Sequence, residues 1–169
     1  MEITDLEKLI SILEPRVLSL VHEEQFGFSR EGNSSSLGGE HDRELLIALR
    51  NRSEIIVTSG KTAELENYKQ PSKPLVLLTT RPDAASWLQA DRFHLSDSRF
   101  RDMLANRKVL YETGLSISRE LFGLCLIDQI MIHHDRIDFD SKVLDIPNLI
   151  KLQTTTYYGR YISIFGRGS

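Results

Sequence analysis

Two kinds of apolar spacing alternate along the chain. Leu6, Leu9, Ile10 and Leu13 recur at i, i+3, i+4 and i+7, the spacing of one helical face, and Pro15 ends that helix. "RVLSLVH", residues 16–22, predicts a strand. From Asp42, Leu45, Leu46 and Leu49 line one side of a second helix, with Asp42 as its expected N-cap. Short apolar runs then take over. Residues 54–60 and 74–82 predict buried strands and 92–96 a third. Between them, 62–68 reads as a short helix capped by Thr62, and 98–107 reads as another helix. Further on, "KVLYETG" (108–114) predicts a strand, "LSISRELFGLC" (115–125) a helix and "LIDQIMIHHDRI" (126–137) a long strand. Residues 149–168 predict a hairpin turning at Tyr158-Gly159-Arg160, because Thr, Tyr and Ile suit strands.

Strands alternating with short helices, then strands alone, imply an α/β fold. Its sheet is expected to be mostly parallel, with an antiparallel C-terminal hairpin. There is no internal repeat, low-complexity tract or linker, so 1–169 is expected to be a single domain. The one long loop-like stretch is "GFSREGNSSSLGGEH", 27–41. Loops of that length inside a domain are uncommon and often functional; a tolerated surface loop is an equally open reading.

Composition narrows the function classes. The 169 residues suffice for one core, and 40% hydrophobic with 27% charged residues is ordinary for a globular chain. A net charge of -3 supplies no basic field, which argues against a nucleic-acid partner. No run reaches the roughly 20 apolar residues needed to cross a bilayer. The acidic N-terminus lacks the basic start of a signal peptide, so a cytoplasmic protein without a membrane partner is expected. Cys125 is the only cysteine, and its apolar neighbours suggest a buried thiol.

The candidate chemistry lies at strand ends. Three apolar runs end in small or polar residues: Thr58-Ser59-Gly60, Thr79-Thr80-Arg81 and Glu112-Thr113-Gly114. Ligands of open α/β sheets sit beyond the carboxyl ends of the strands. A glycine there lets backbone approach a bulky anion, and the next helix aims unpaired N–H groups at the same spot. Ser116, Ser118 and Thr62 are candidate hydroxyl donors, and Arg81 is a cation suited to a second phosphate. Neither G-x-G-x-x-G nor G-x-x-x-x-G-K-[ST] occurs. Other residues carry less. His133 and His134 are neighbours whose side chains point to opposite faces of a strand, so they cannot easily share an ion. They read as solvated or strand-end histidines, and no metal is expected. His41-Asp42-Arg43 reads as a helix start. Glu23-Glu24 reads as a solvated loop entry or as a carboxylate pair for proton transfer. Trp87, Tyr157 and Tyr158 read as core or edge packing.

Taken in order, these segments resemble a known family. "DRELLIALRNRSEIIVTSGKTAELENY" resembles the Asp-headed helix, strand and turn of riboflavin-pathway pyrimidine reductases. "PLVLLTTRP" is similar to the following strand there and in dihydrofolate reductases. "VLYETGLSISRELFGLCLIDQIMIHH" resembles their Glu-Gly-Gly strand, the next helix and the entry to a long strand. The resemblance covers roughly residues 16 to 165. It implies a dihydrofolate-reductase-like three-layer sandwich, a homodimer, and NADPH as cofactor lying across the strand ends. The pyrophosphate would meet Thr113, Gly114, Leu115 and Ser116. The adenosine end would meet Ser59, Gly60 and Thr62, with Thr80 and Arg81 near the 2′-phosphate. The implied reaction is hydride transfer to a ribosylaminopyrimidinone phosphate or a related pyrimidine or pterin. Glu24 and Glu112 are the acidic candidates nearest the reacting ring. Two positions depart from the family. Phe26 stands where a Ser-x-Asp-Gly pattern has its Asp, and Thr113 replaces a glycine whose absence would crowd a pyrophosphate. They keep open a second reading, a catalytically silent relative acting as a dimeric nucleotide-binding or scaffold protein.

Overall fold

The computed structural model describes residues 3–28 and 37–168, so residues 29–36 of the Gly- and Ser-rich stretch lie outside the described residues. The elements run α1 (Ile3–Ser11), β1 (Arg16–His22), α2 (Gly39–Arg52), β2 (Ile55–Ser59), α3 (Gly60–Leu65), β3 (Leu75–Leu78) and β4 (Asp91–Phe93). They continue with α4 (Ser98–Leu104), β5 (Val109–Tyr111), α5 (Leu115–Gly123), β6 (Gln129–His134), β7 (Leu149–Tyr157) and β8 (Arg160–Arg167). The strands form one eight-stranded sheet in the order β4-β3-β2-β5-β1-β6-β8-β7. β1 to β6 pair in parallel, and β8 pairs antiparallel with both β6 and β7. The mostly parallel sheet with an antiparallel C-terminal hairpin is the architecture the sequence implies.

Helices cover both faces of the sheet, which explains the continuous apolar runs of β2, β3 and β5. On one face Leu9 of α1, Leu45 and Leu49 of α2 and Ala63 of α3 pack on Val17, Ile56, Leu110 and Met131. On the other, Phe100 and Leu104 of α4 and Leu121 and Phe122 of α5 pack on Leu18, Val57, Tyr111 and Ile130. Neighbouring strand residues such as Val17 and Leu18 serve opposite faces, as the two-residue period requires. Thr58 sits in fully buried β2, and its hydroxyl donates to the Glu112 carbonyl at 2.7 Å. The hairpin turns through Tyr158 and Gly159 at φ 47° and 76°, the left-handed pair that suits the twist of two-residue hairpins.

Tertiary contacts move several expected boundaries. α2 starts at Gly39 behind Gly38, so Asp42 lies in its first turn and is not its cap. α3 starts at Gly60 with Ser59 as N-cap, so Thr62 receives the cap and does not supply it. β3 and β6 are shorter than the stretches 74–82 and 126–137 expected to form them, because strand pairing covers only Leu75–Leu78 and Gln129–His134. Cys125 is exposed, contrary to the buried thiol expected, because the chain turns there at φ 60° to leave α5. His133 and His134 are both buried, contrary to the solvated expectation. β6 lies between β1 and β8, and apolar layers cover both of its faces, Met131 in one and Ile130 and Ile132 in the other. Trp87 is 52% exposed and donates its ring N–H to the Tyr68 carbonyl, so it is not a core residue. Tyr157 is buried, while Tyr158 stacks on His41 at 3.6 Å between ring centroids.

Candidate functional site

The parallel strands release their chains at one edge, and two of the expected junctions meet there. The Ser59 hydroxyl caps α3 by accepting the Thr62 N–H at 3.1 Å, and it donates to Thr62 Oγ1 at 2.8 Å. Thr62 Oγ1 also accepts the Gly114 N–H at 3.1 Å. Three residues from the ends of β2 and β5 thus form one network. Gly114 is the N-cap of α5 and no side chain caps that helix. Gly114 and Ser116 are exposed and Leu115 is half-buried. The first-turn N–H groups and the positive end of the helix dipole therefore open on solvent, where an anion is stabilised.

The neighbouring residues take different parts. Thr113 is buried, with its Oγ1 2.7 Å from the Ser118 hydroxyl, which in turn donates to the Gly114 carbonyl at 2.7 Å. Its side chain is thus tied to Ser118 of α5. Gly60 is also buried. A Cβ there would stand 2.9 Å from Ala84 Cβ and 3.0 Å from Thr79 Oγ1, so this glycine lets α3 pack against the turn after β3. In that turn Thr80 is exposed, and the 56% exposed side chain of Arg81 pairs with Glu64 of α3 at 2.7 Å. Arg81 therefore stays beside the Ser59–Thr62 junction.

The acidic candidates are already engaged. Glu112 gives both carboxylate oxygens to Arg50 of α2, at 2.8 and 2.7 Å, and Arg50 also donates to the Tyr68 hydroxyl. Burial and then Glu112 push the Tyr68 phenol above its ordinary range. Glu24 pairs with Arg136 in an exposed contact, and Glu23 pairs with Arg160 at 2.9 Å. Glu23 and Glu24 thus bind separate arginines and share no proton, and no described contact joins Glu24 to Glu112.

One pairing was not read from the sequence. His133 of β6, 1% exposed, holds Asp42 of α2 through Nδ1 at 2.9 Å. These residues are 91 positions apart, so only the register of β6 against β1 and the docking of α2 bring them together. A signal existed in "QIMIHH": a central strand covered on both faces buries consecutive residues whatever their polarity. His134, on the opposite face, donates from Nδ1 to the Arg136 carbonyl and accepts from the Ser163 hydroxyl at Nε2. Burial lowers its pKa, and burial likewise lowers that of His22. Burial, followed by Glu44, pushes the Tyr157 phenol up to about 12.

A cavity of about 340 Å³ lies at the opposite edge of the sheet, lined among others by Arg16, Cys125, Asp128, Gln129 and Arg167. Its cations are already used. Arg16 is bidentate on Asp128, and Arg167 donates to the Phe122 carbonyl and stacks on the Phe122 ring. The open helix terminus makes the carboxyl edge the stronger candidate. Among the described residues no group of three or more His, Cys, Asp or Glu side chains is placed to hold a metal, and no helix is long and apolar enough to cross a membrane.

No protein-family model and no curated protein matches the chain. Solved structures do match. Dihydrofolate reductase from Enterococcus faecalis, complexed with NADP(H), aligns at 16% identity and a TM-score of 0.62 over 90% of this chain and 96% of its own. A pyrimidine reductase-like protein from Corynebacterium diphtheriae aligns at 17% and 0.62 over 94% of each chain. RibD of Acinetobacter baumannii aligns at 13% and 0.66 over 96% of this chain and 60% of its own. The strand order, the helices on both faces and these superpositions converge on one architecture: the chain has the dihydrofolate-reductase-like fold.

Proposed function

We propose that this protein is a reductase that takes NADPH along the carboxyl edge of the sheet and reduces a pyrimidine or pterin ring. A ribosylaminopyrimidinone phosphate, as in riboflavin synthesis, is the favoured substrate. The observation that carries the reading is the uncapped amino terminus of α5, opening at that edge in a fold shared with an NADP(H)-complexed enzyme. The residues fit a dinucleotide. Exposed Gly114 lets a pyrophosphate reach the first N–H groups of α5, with Leu115 and Ser116 beside it and Thr113 contributing backbone alone. Ser59 and Thr62 hold the two junctions together, and Gly60 seats α3 against the turn after β3. Thr80 and Arg81 face solvent where a 2′-phosphate would lie. Exposed ion pairs contribute only about 0–1 kcal/mol, so exchanging Glu64 for a phosphate costs Arg81 little. When bound, the dinucleotide supplies the hydride; the chain supplies placement and exclusion of water.

A second reading is favoured by one observation. Glu112 has both oxygens on Arg50 and Glu24 is on Arg136, so neither acidic candidate is free to handle a proton. A catalytically silent, dimeric relative would keep the dinucleotide and lose the reaction.

Titration with NADPH, followed by its fluorescence and by the melting point of the protein, tests both readings. At 100 times the dissociation constant, binding should add ~2.7 kcal/mol of stability. Absence of a shift at millimolar NADPH removes the proposal. Loss of NADPH absorbance in the presence of a pyrimidine ribotide or dihydrofolate supports the reductase. Binding without turnover supports the silent relative. Arg81→Ala should weaken NADPH about tenfold and leave NADH unchanged, a difference of ~1.4 kcal/mol. Sedimentation of the protein tests the homodimer.

A further inference from the structure

The two edges of the sheet are built differently. β4 closes one edge with three residues, Asp91–Phe93, and its Arg92 turns back to donate to the carbonyls of Ala84, Ala85 and Leu88. Short, charged edges resist pairing with other chains. β7 forms the other edge with nine residues, Leu149–Tyr157, of which Ile150 to Thr154 and Thr156 are exposed. No strand among the described residues lies on its outer side. It carries no proline and a single charge, Lys151, whose ammonium lies 5.9 Å from the centre of the Phe165 ring.

The register fixes which backbone groups are open. Antiparallel partners alternate between pairs that exchange both N–H···O bonds and pairs that exchange none. The two-residue turn makes Tyr157 and Arg160 a bonded pair, so Thr155 and Gln153 also bond to β8. Thr154 and Thr156 therefore direct their N–H and C=O groups away from the sheet. The bulge at Leu152 ends this regular segment. It leaves Leu152 over Gly166, where a Cβ would stand 2.8 Å from Leu152 Cδ1. Leu152 is nevertheless half exposed, and so is Tyr158 at the hairpin turn.

We propose that β7 is the docking surface for a second copy of this chain, whose own β7 pairs with it antiparallel about a twofold axis at Thr155. In that register Thr154 of each copy faces Thr156 of the other and exchanges both bonds with it, so the outward groups of these threonines are satisfied in both copies. Thr155 meets its counterpart in an unbonded pair. The segment matches itself: threonine pairs suit facing strand positions, and Gln153–Tyr157 carries no charge. The same register sets exposed Leu152 beside the partner's Tyr158 and keeps the two Lys151 ammonium groups apart. About seven residues at ~3.4 Å each make a strip roughly 24 Å long, small among specific interfaces, so association in the micromolar range is expected. β1, β6 and β8 separate β7 from β5, so the partner leaves the α5 junction open. The surface rests on the homodimer of the reading above and not on its chemistry.

Sedimentation of the full chain from low micromolar to near-millimolar concentration should show a monomer–dimer equilibrium. Thr156→Pro removes an outward donor at an edge position that tolerates proline, and should weaken association at least tenfold. Thr155→Cys in a Cys125→Ser background should give a disulfide-linked dimer on mild oxidation. Unbonded antiparallel partners lie ~4.5 Å apart at Cα, inside the disulfide range. Gln153→Cys in the same background should not cross-link, because the register sets the two thiols at least ~13 Å apart. A monomer at every concentration overturns the proposal together with the homodimer. A dimer that Thr156→Pro leaves intact, or that Thr155→Cys does not cross-link, overturns this surface alone, and so does equal cross-linking from 153 and 155. Failure to bind NADPH overturns the reductase reading alone. The cross-linking result decides the matter even where Thr156→Pro fails to fold.

Discussion

Glu112 and His134 show how neighbours set what a titratable side chain does. With exposures of 11% for Glu112 and 29% for Arg50, the pair is shielded enough for charge-assisted bonds to count. Glu112→Gln should cost about 1.5–3 kcal/mol in urea unfolding. If the carboxylate is purely structural, the rate per folded molecule will not change; a rate loss beyond the unfolded fraction would return Glu112 to the chemistry. His134 supports a pH prediction. Burial holds its folded pKa below the ordinary histidine value of about 6.5, so the unfolded chain binds more protons in the window just below that value. Stability is therefore full above that value and falls as the solution is acidified, with His22 acting in the same sense. The loss is about 1.4 kcal/mol for each pH unit by which the folded value is depressed. Urea midpoints at pH 7.5 and 5.5 should differ in this direction, and His134→Gln should reduce the difference.

At the scale of the element, the position of α3 depends on a single missing methyl. Gly60→Ala would place its Cβ 2.9 Å from Ala84 Cβ, a rigid neighbour, so the helix has to move. The expected cost is about 1–3 kcal/mol, the range for overpacking. Because Ser59 and Thr62 tie α3 to Gly114, the same change should weaken NADPH binding. Unchanged stability and affinity would mean that the α3 junction is not part of the site. Spacing alone revealed the helical face of α2 and the two-residue period of the strands, since both follow from local backbone geometry. The starts of α2 and α3 were not legible. Asp42 is a good cap by type, but Gly38 adopts the left-handed turn at φ 79° and the helix begins there. Cys125 likewise sits among apolar residues yet turns outward at the end of α5.

At the level of the whole molecule, one sheet running from β1 to β8 joins both apolar layers. If 1–169 is one domain, far- and near-ultraviolet circular dichroism should report a single coincident unfolding transition. Two separate midpoints would contradict it. The order of apolar runs, the parallel-to-antiparallel change and the glycine at the α5 junction were all readable from the chain, because each arises within a few residues. Partner choice was not readable. Arg50 finds Glu112 across 62 positions and Asp42 finds His133 across 91, contacts that exist only once the strands are ordered and α2 is docked. Local rules state what a segment can become; which buried charges meet is settled by packing, because water must be removed from both partners at once.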